Sequence, residues 1–362
     1  MRALSFSGLL ILFLALCTGP AALSQEEHSQ SQHLDEIEQL EDQDFNASEF
    51  IMDHVSDSHE WHILTRDNGE SVAIYLPVIL YSKEKGLSLF SSRKLAHGHE
   101  YEGYILIEEG DLKGRIASID ENGEINEENL PLDLSMTKTV MGMLFSAIIG
   151  LFLFLSLARS YKKAGISHPK GMQGFLEPII LFVRDEIAIS NIGIHKYEKY
   201  MPYLLTVFFF ILLNNLMGLV PFPPPFGANV TGNIAVTFVL AFFTFIITQF
   251  SGNRNYWRHI FATPGVPLWL LPIMVIVELI GIISKPFALM IRLFANISAG
   301  HIVVLSLVSL IFIFDSLAVA PISIAFVVFM DCIELLVAFL QAYIFTLLSA
   351  LFISLAVEEA HH

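Results

Sequence analysis

The sequence predicts an all-α membrane protein with five transmembrane helices and a small β-rich domain outside the membrane. Of its 362 residues 54% are hydrophobic, the mean hydropathy is +0.60, and only 15% are charged, against about 25% in soluble domains. Apolar stretches long enough to span a bilayer fall within residues 139–362, whereas β-like runs and most acidic residues fall within residues 25–138. The formal charge of −16 therefore belongs mainly to a water-facing region and does not indicate nucleic-acid binding.

The N-terminus has the pattern of an export signal. Arg2 precedes an apolar core, and a Gly-Pro pair and small residues follow it. This order predicts a signal peptide over residues 1–24, so that Gln25 begins the mature chain outside the cytoplasm. A short uncleaved anchor is the alternative.

Residues 25–135 form an acidic extension ahead of the first span. Its beginning, residues 25–50, is polar and acidic and is expected to be a flexible arm. Farther on, WHILTR and SVAIYLPVILYS are β-like runs on either side of Asp67-Asn68-Gly69, a hairpin signal. We therefore predict a small β-rich domain. Its histidines match no tight metal-ligand spacing and are expected to be surface residues: His54, His59, His62, His97 and His99.

Five apolar stretches predict the five transmembrane helices. They cover about residues 139–158, 203–220, 234–250, 267–314 and 316–357. Basic residues follow the first stretch at Arg159 and Lys162, and the third at Arg254 and Arg258. Because cytoplasmic loops carry an excess of basic residues, the N-terminal domain is expected outside and the C-terminus inside.

Residues 171–195, between the first two spans, are too polar to cross the membrane. They carry Glu177, Arg184, Asp185 and Glu186 beside an apolar face. We expect an amphipathic helix lying at the cytoplasmic surface. A helix in a soluble core is the alternative.

The last two spans are too long to cross a bilayer upright. As helices, residues 267–314 and 316–357 would each be on the order of 60–70 Å long, whereas the hydrocarbon core is about 30 Å thick. Each must tilt steeply or break in two, and Pro286 and Gly300 are candidate break points. Only Asp315 separates the two spans, which favours one long hairpin with its tip outside.

Polar residues recur along the first of these long spans. Glu278, Lys285 and Arg292 are spaced by seven and share one helical stripe, and Asn296 lies one turn beyond Arg292. His301 lies about half a turn around from Arg292. A guanidinium cannot lose its proton, and its insertion into lipid costs roughly 2.5–3.5 kcal/mol. Arg292 must therefore be paired, hydrated or used in an ion or substrate pathway.

The final span repeats this spacing, because Glu334 and Gln341 differ by seven and Asp331 precedes Glu334 by a turn. Simpler explanations exist for several of these residues. Lys285 can reach the membrane interface, Glu278 can pair with Lys285, and Gln341 can join neighbouring helices. For Arg292 the alternative is a buried salt bridge to Glu334 or Asp331.

Titratable groups that alternate with one fixed cation indicate proton handling. Carboxylates and imidazoles take up and release protons near neutral pH when burial shifts their pKa, whereas arginine keeps its charge. A permanent cation among them blocks a second cation and keeps a passing carboxylate ionised. This arrangement suits a gate between two aqueous half-paths.

Two motifs resemble subunit a of F-type ATP synthase. They are SKPFALMIRLFANISAGH at residues 284–301 and LLVAFLQAYIFTLLSALFISLA at residues 335–356. The shorter stretches EPIILFVRDEIA, NNLMGLVPF and TGNIAVTF are similar to earlier segments of that family. The resemblance covers about residues 135–362, so we expect residues 136–362 to be the membrane domain of such a subunit. It says nothing about residues 25–135.

The resemblance implies a proton channel in the F0 sector, with steeply inclined helices against a rotating ring of c subunits. Each c subunit carries one carboxylate in mid-membrane, which Arg292 would hold ionised. The implied proton-translocation residues are Arg292, Asn296, His301, Glu334, Gln341 and Glu278, with Lys285 and Asp331 as accessory residues.

The resemblance also implies partners and a location. The expected partners are the c-ring, the b subunits of the peripheral stalk, the remaining F0F1 subunits and the lipid bilayer of the cell inner membrane. No cofactor, metal or nucleic acid is expected. The phosphate-binding pattern G-x-x-x-x-G-K-[ST] is absent, so the chain is not expected to be an enzyme on its own.

Two other functions fit parts of the pattern. One is a multi-span secondary transporter with an exported ligand-binding domain, although no internal repeat of the kind common in transporters is visible. The other is an exported β domain tethered by its spans. Five spans with several buried charges exceed what a tether needs.

Overall fold

The computed structural model describes residues 46–358 apart from short gaps. The residues outside the description are 1–45, 66–70, 84, 108–109, 111, 120–124, 126–129, 165–170, 221–225, 263–265, 268, 315, 317 and 359–362. The predicted signal peptide, most of the acidic arm and the Asp67-Asn68-Gly69 turn lie among these residues.

The N-terminal domain is built from short antiparallel sheets and a helix. Its elements are α1 (Ala47–Val55), β1 (Glu60–Thr65), β2 (Ser71–Tyr75), β3 (Pro77–Ser82), β4 (Gly86–Ser91), β5 (Tyr104–Leu106), β6 (Ile116–Ser118) and β7 (Leu132–Asp133). β1 pairs with β2, β3 pairs with β4 and β7, and β5 pairs with β6. The β-rich prediction is therefore confirmed, whereas the arm expected to be flexible over residues 25–50 is helical from Ala47 onward.

The core of this domain is formed by strand residues that alternate between buried and more exposed positions. Val78 and Leu80 on β3 and Phe90 on β4 are buried, while the residues between them are more exposed. Successive strand side chains point to opposite faces, so this alternation gives one face of the sheet to the core. Leu95 and Tyr104 complete the buried cluster.

One histidine of the domain is not the surface residue that the sequence predicts. His59 is 8% exposed, and its Nε2 lies 2.8 Å from Oδ2 of Asp133. Burial opposes ionisation of Asp133, but hydrogen bonds from His59 and Ser135 outweigh it, and the pKa of this carboxyl lies below its ordinary value. The contact joins the start of β1 to β7. His54 and His99 are exposed, as predicted.

Long apolar helices follow and confirm the predicted membrane architecture. The helical elements are α2 (Lys138–Ala164), α3 (Met172–Phe182), α4 (Ser190–Ile192), α5 (Tyr197–Gly218), α6 (Ile234–Ser251), α7 (Arg254–Phe261), α8 (Leu271–Ile313) and α9 (Ala320–Val357). Within the described residues, five of them are long and apolar enough to cross a membrane, namely α2, α5, α6, α8 and α9.

The region between the first two spans is the predicted amphipathic helix. α3 continues through a π-helical stretch, Val183–Ile189, into α4. Leu176, Val183 and Ile187 are buried in the cluster that α5 and α9 also enter, whereas Phe175 is 67% exposed. The apolar face of this helix therefore packs against the spans.

α8 is a single continuous helix of 43 residues, with no break at Pro286 or Gly300. At 1.5 Å per residue it is about 65 Å long, more than twice the thickness of the hydrocarbon core. α9 is likewise continuous over 38 residues. Of the two expected options, breaking or tilting, only a steep tilt fits both helices within a bilayer.

α5 lies at the centre of the membrane part. Its Leu204, Phe208 and Ile211 are fully buried, and they share one apolar cluster with Leu293 of α8 and Phe345 of α9. α5, α8 and α9 are thereby packed against one another. At the edge of this cluster, polar residues lie in the space between α5, α8 and α9.

Candidate functional site

A cleft lies between α5, α8 and α9. Its lining residues are Asn215, Leu219, Asn296, Ile297, His301, Glu334, Val337 and Ala338. Three residues singled out from the sequence, namely Asn296, His301 and Glu334, are therefore brought together here. We call this space the His301 cleft.

Glu334 enters the His301 cleft with one carboxylate oxygen buried. Its Oε1 has no hydrogen-bond partner within the described part of the chain. A Cβ built on Gly300 would lie 2.4 Å from this oxygen, so a glycine leaves the room that the carboxylate occupies. The sequence marks Gly300 as a candidate break point, but the structure uses it for the close approach of α9 to α8.

A buried pair of polar side chains supports one wall of the cleft. Asn215 is 4% exposed, donates from Nδ2 to the carbonyl oxygen of Ala338 at 3.1 Å, and accepts from Thr231 Oγ1 at 2.5 Å. Both ends of the amide are thus engaged, which fixes its orientation. Sequence reasoning missed both residues as cleft components. Asn215 lies in the stretch NNLMGLVPF, but no spacing rule predicts its contact with Thr231.

His301 reaches the cleft at the end of α5. Its Nε2 lies 3.5 Å from the position that a Cβ on Gly218 would take. His301 lines the cleft and Arg292 does not, in keeping with the half-turn that separates them on α8. A methyl group at Gly218 would therefore be in van der Waals contact with the imidazole.

Arg292 lies on an exposed side of α8, where Asn296 is exposed as well. Among the residues that the structure describes, it forms no ion pair and no hydrogen bond. The alternative of a buried salt bridge to Glu334 or Asp331 is therefore not what the structure contains. The guanidinium is left available to a group outside this chain.

The remaining predicted residues of α9 differ in their surroundings. Gln341 is 3% exposed and shares a helical face with Glu334 and Ala338. Asp331 is partly buried one turn before Glu334 and does not line the cleft. Gln341 therefore lies on the face of α9 that lines the His301 cleft, whereas Asp331 lies at the edge of that face.

A second cleft lies toward the other end of the polar stripe on α8. Its lining residues are Phe245, Thr248, Gln249, Tyr256, Ile282, Lys285, Pro286, Phe352 and Leu355, and we call it the Lys285 cleft. Burial raises the pKa of Tyr256, the hydrogen bond with Gln249 opposes this rise, and the charge of Glu278 adds to it. The rim of this cleft is therefore electrostatically linked to Glu278.

The alternative of a Glu278–Lys285 pair is not found among the described residues. Oε1 of Glu278 instead lies 3.8 Å from Nδ1 of His259 on α7. The two side chains are 27% and 58% exposed, so water weakens their attraction. Lys285 itself is exposed.

Arg292 lies between the two clefts along α8. From the helical rise, His301 is about 14 Å from it in one direction and Glu278 about 21 Å in the other. One fixed positive charge therefore separates two groups of titratable residues that are about 35 Å apart.

Comparison with protein families identifies the family to which the chain belongs. A family model described as ATP synthase A chain matches residues 140–354, more than half of the chain. The chain belongs to the ATP synthase A chain family. With its five apolar helices, this member of the family is a multi-pass membrane protein. A second model, described only as a domain of unknown function, matches residues 50–137.

Individual relatives in the ATP synthase A chain family cover most of the membrane part. ATP synthase subunit a of Chloroherpeton thalassium is 49% identical over 236 residues, 64% of this chain and 69% of the relative. Subunit a of Myxococcus xanthus is 49% identical over 238 residues, 64% and 76% of the two chains. Subunit a 2 of Prosthecochloris aestuarii is 44% identical over 275 residues, 73% and 82%. These relatives give no support to the secondary-transporter alternative.

Proposed function

We propose that this chain is the proton-channel subunit in the membrane sector of an ATP synthase. It provides two aqueous half-channels and the arginine that pass protons to and from the carboxylates of a c-subunit ring. Proton flow through it turns the ring and drives ATP synthesis elsewhere in the complex. The chain contributes a proton path to the enzyme complex and is not catalytic on its own.

The observation that carries this proposal is the position of Arg292. It is exposed on an apolar helix, unpaired within the described residues, and placed between two polar clefts. A cation in apolar surroundings is costly until an anion covers it. Carboxylates on a neighbouring rotor supply that anion, and the attraction keeps each one ionised as it passes between the half-channels.

The two clefts are the inner ends of the two half-channels. In the His301 cleft, Glu334 and His301 exchange protons, and Asn296 and Gln341 orient the groups around the arginine. Near the Lys285 cleft, Glu278 exchanges protons with the opposite side. Lys285 and Asp331 are accessory residues at the edges of these paths. The buried, unpaired Oε1 of Glu334 supports its role, because such an oxygen is free to bind a transferred proton.

The chain is oriented in the cell inner membrane with its N-terminal domain in the periplasm and its C-terminus in the cytoplasm. Residues 1–24 are a signal peptide, residues 25–135 a periplasmic extension, and residues 136–362 the membrane domain. The basic residues after the first and third spans support this orientation. The partners are the c-ring, the b subunits of the peripheral stalk and the remaining F0F1 subunits.

The decisive test is Arg292→Ala in the complete ATP synthase, studied in inverted membrane vesicles. We expect proton-driven ATP synthesis and ATP-driven proton pumping to fall by at least about 100-fold, as for removal of a charge-stabilising group from other enzymes. The amount of assembled complex, measured by native gel electrophoresis, should stay unchanged.

A matched arginine provides the control. Arg184 is exposed beside the spans and bonds to its neighbour Asp185, so Arg184→Ala should retain coupled synthesis. Wild-type synthesis by Arg292→Ala in an assembled complex would refute the assignment.

A further inference from the structure

We propose that the N-terminal domain shapes the His301 cleft, with Trp61 as its positioning residue. This gives a function to the region that matches a domain of unknown function, and it rests on the proposed function of the membrane part. The connection runs from Trp61 through the segment at residues 226–233, between α5 and α6, to the residues that line the cleft.

Trp61 on β1 packs directly on this segment. It is 7% exposed and forms a buried cluster with Ala228 and Val230, which are each 2% exposed. A Cβ on Gly142 of α2 would lie 2.8 Å from Cβ of Ala228 and 3.0 Å from Cγ2 of Val230. The segment therefore packs closely against both the N-terminal domain and the first span.

The inner side of the same segment touches the cleft. The carbonyl oxygen of Ala228 and Nε2 of His301 both lie 3.5 Å from the position of a Cβ on Gly218, so they are neighbours across the end of α5. Thr231 donates to the cleft residue Asn215, and the carbonyl oxygen of Gly232 accepts from Ser298 Oγ at 3.2 Å. Any shift of the segment is therefore passed to the walls of the cleft.

Trp61 is itself held in a fixed place by the junction between the domain and α2. His59, two residues away, is bonded to Asp133. Asp57 Oδ1 accepts from the backbone N–H of Thr139 at 3.0 Å, which caps the start of α2. Lys138 Nζ donates to the carbonyl oxygen of His54 at 3.2 Å, which ties the start of α2 to α1.

The N-terminal domain thus holds one wall of the His301 cleft rigid. It lies on the side of the membrane with which this cleft exchanges protons. Loss of the Trp61 packing loosens Asn215 and His301 without removing either. Because proton transfer depends steeply on the placement of its groups, proton uptake should then become limiting when protons are scarce. The loss of rate should grow as the pH on the domain's side rises.

The test uses the complete ATP synthase in inverted vesicles, where the domain faces the lumen. ATP synthesis is measured against lumenal pH at constant proton-motive force, for Trp61→Ala and Trp61→Phe. Trp61→Ala should lower the rate by about fivefold at alkaline lumenal pH and by much less at acidic pH, and Trp61→Phe should restore most of it. A rate for assembled Trp61→Ala equal to wild type at every pH would overturn the proposal.

Two further variants make the result specific. Phe90→Leu perturbs the core of the same domain away from residues 226–233, so it should leave the pH dependence unchanged. If Phe90→Leu altered the pH dependence of ATP synthesis as much as Trp61→Ala does, Trp61 would be rejected as the positioning residue. Arg292→Ala in the same vesicles separates the two proposals: if it abolishes synthesis while Trp61→Ala has no effect, the positioning role fails and the channel function stands.

Discussion

Glu334 at the His301 cleft and Glu278 near the Lys285 cleft differ in their surroundings. In the His301 cleft, Glu334 is pressed against the backbone of Gly300 and its Oε1 is buried without a partner among the described residues. At the Lys285 end, Glu278 is 27% exposed and lies 3.8 Å from His259. Both acids are partly exposed as residues, but only Glu334 has a carboxylate oxygen buried without a partner among the described residues.

Under the proposed function, this difference predicts that the two ends of the proton path are controlled in different ways. A buried carboxylate oxygen depends on the geometry around it, because no water replaces a misplaced neighbour at that atom. An exposed carboxylate near an exposed histidine is screened by solvent, and its contacts contribute little. Substitutions should therefore have larger effects in the His301 cleft than at the Lys285 end.

The largest expected effect is that of Glu334→Gln. The amide cannot exchange a proton as the carboxylate does, so we expect proton pumping to fall by about 100-fold. Glu278→Gln is the matched substitution at the other end, where water shares the path, and a loss of about fivefold is expected. Both are measured as ATP-driven acidification of inverted vesicles. Equal losses for the two variants would remove the proposed difference between the clefts.

The next effect tests the close approach of α9 to Gly300. A Cβ there meets Glu334 Oε1 at 2.4 Å, so Gly300→Val should displace the carboxylate and reduce pumping by about tenfold. Gly281 lies in the same helix with open space around its Cα. Gly281→Ala should therefore leave pumping intact and strengthen the helix slightly. Normal pumping by Gly300→Val would show that the tight fit is not required.

A smaller effect is expected from the support of Asn215. Thr231→Val keeps the side-chain shape but leaves Asn215 Oδ1 without its donor, which should cost about 1–3 kcal/mol of stability. Thr206 is the control, because its exposed hydroxyl donates only to the carbonyl of Pro202 in its own helix. Thermal aggregation of the purified complex measures both variants. A Thr231→Val complex as stable as Thr206→Val would mean that the Asn215 contact contributes little.

The smallest effect concerns Asp133 in the N-terminal domain. Its pKa is lowered in the folded chain, so its contribution is complete above the ordinary value of 3.8 and is lost as the pH falls through the lower folded value. Because its side chain is 32% exposed, we expect only about 1 kcal/mol. Trp61 fluorescence, in a Trp257→Phe and Trp269→Phe background, should report loosening below this pH. Asp133→Asn should flatten that profile.

The architecture follows from simple features of the sequence. Apolar length alone locates the five spans, since only helices satisfy their backbone groups in lipid. Alternating apolar residues such as Val78 and Leu80 mark the strands of the domain. Of the two options that the sequence left open for the long helices, the break at Pro286 or Gly300 is not found. Proline removes one backbone donor, and a long helix packed along its neighbours tolerates that loss.

The site was harder to predict, because its contacts join distant parts of the chain. Helical spacing places Glu334 and Gln341 on one face and separates His301 from Arg292 by half a turn. It does not reveal that Thr231 meets Asn215, that His59 meets Asp133, or that Glu278 lies near His259 instead of Lys285. Such pairs depend on how the elements pack, which residue spacing does not encode.

The continuity of α8 has a mechanical consequence. Under the proposed function, a rotor that presses on Arg292 would load a single stiff rod, because no hinge lies between residues 271 and 313 to absorb the torque. That rod contacts α1 of the N-terminal domain and α7. The load would therefore be shared with α1 and α7, which is what a part that must stay still while its neighbour turns requires.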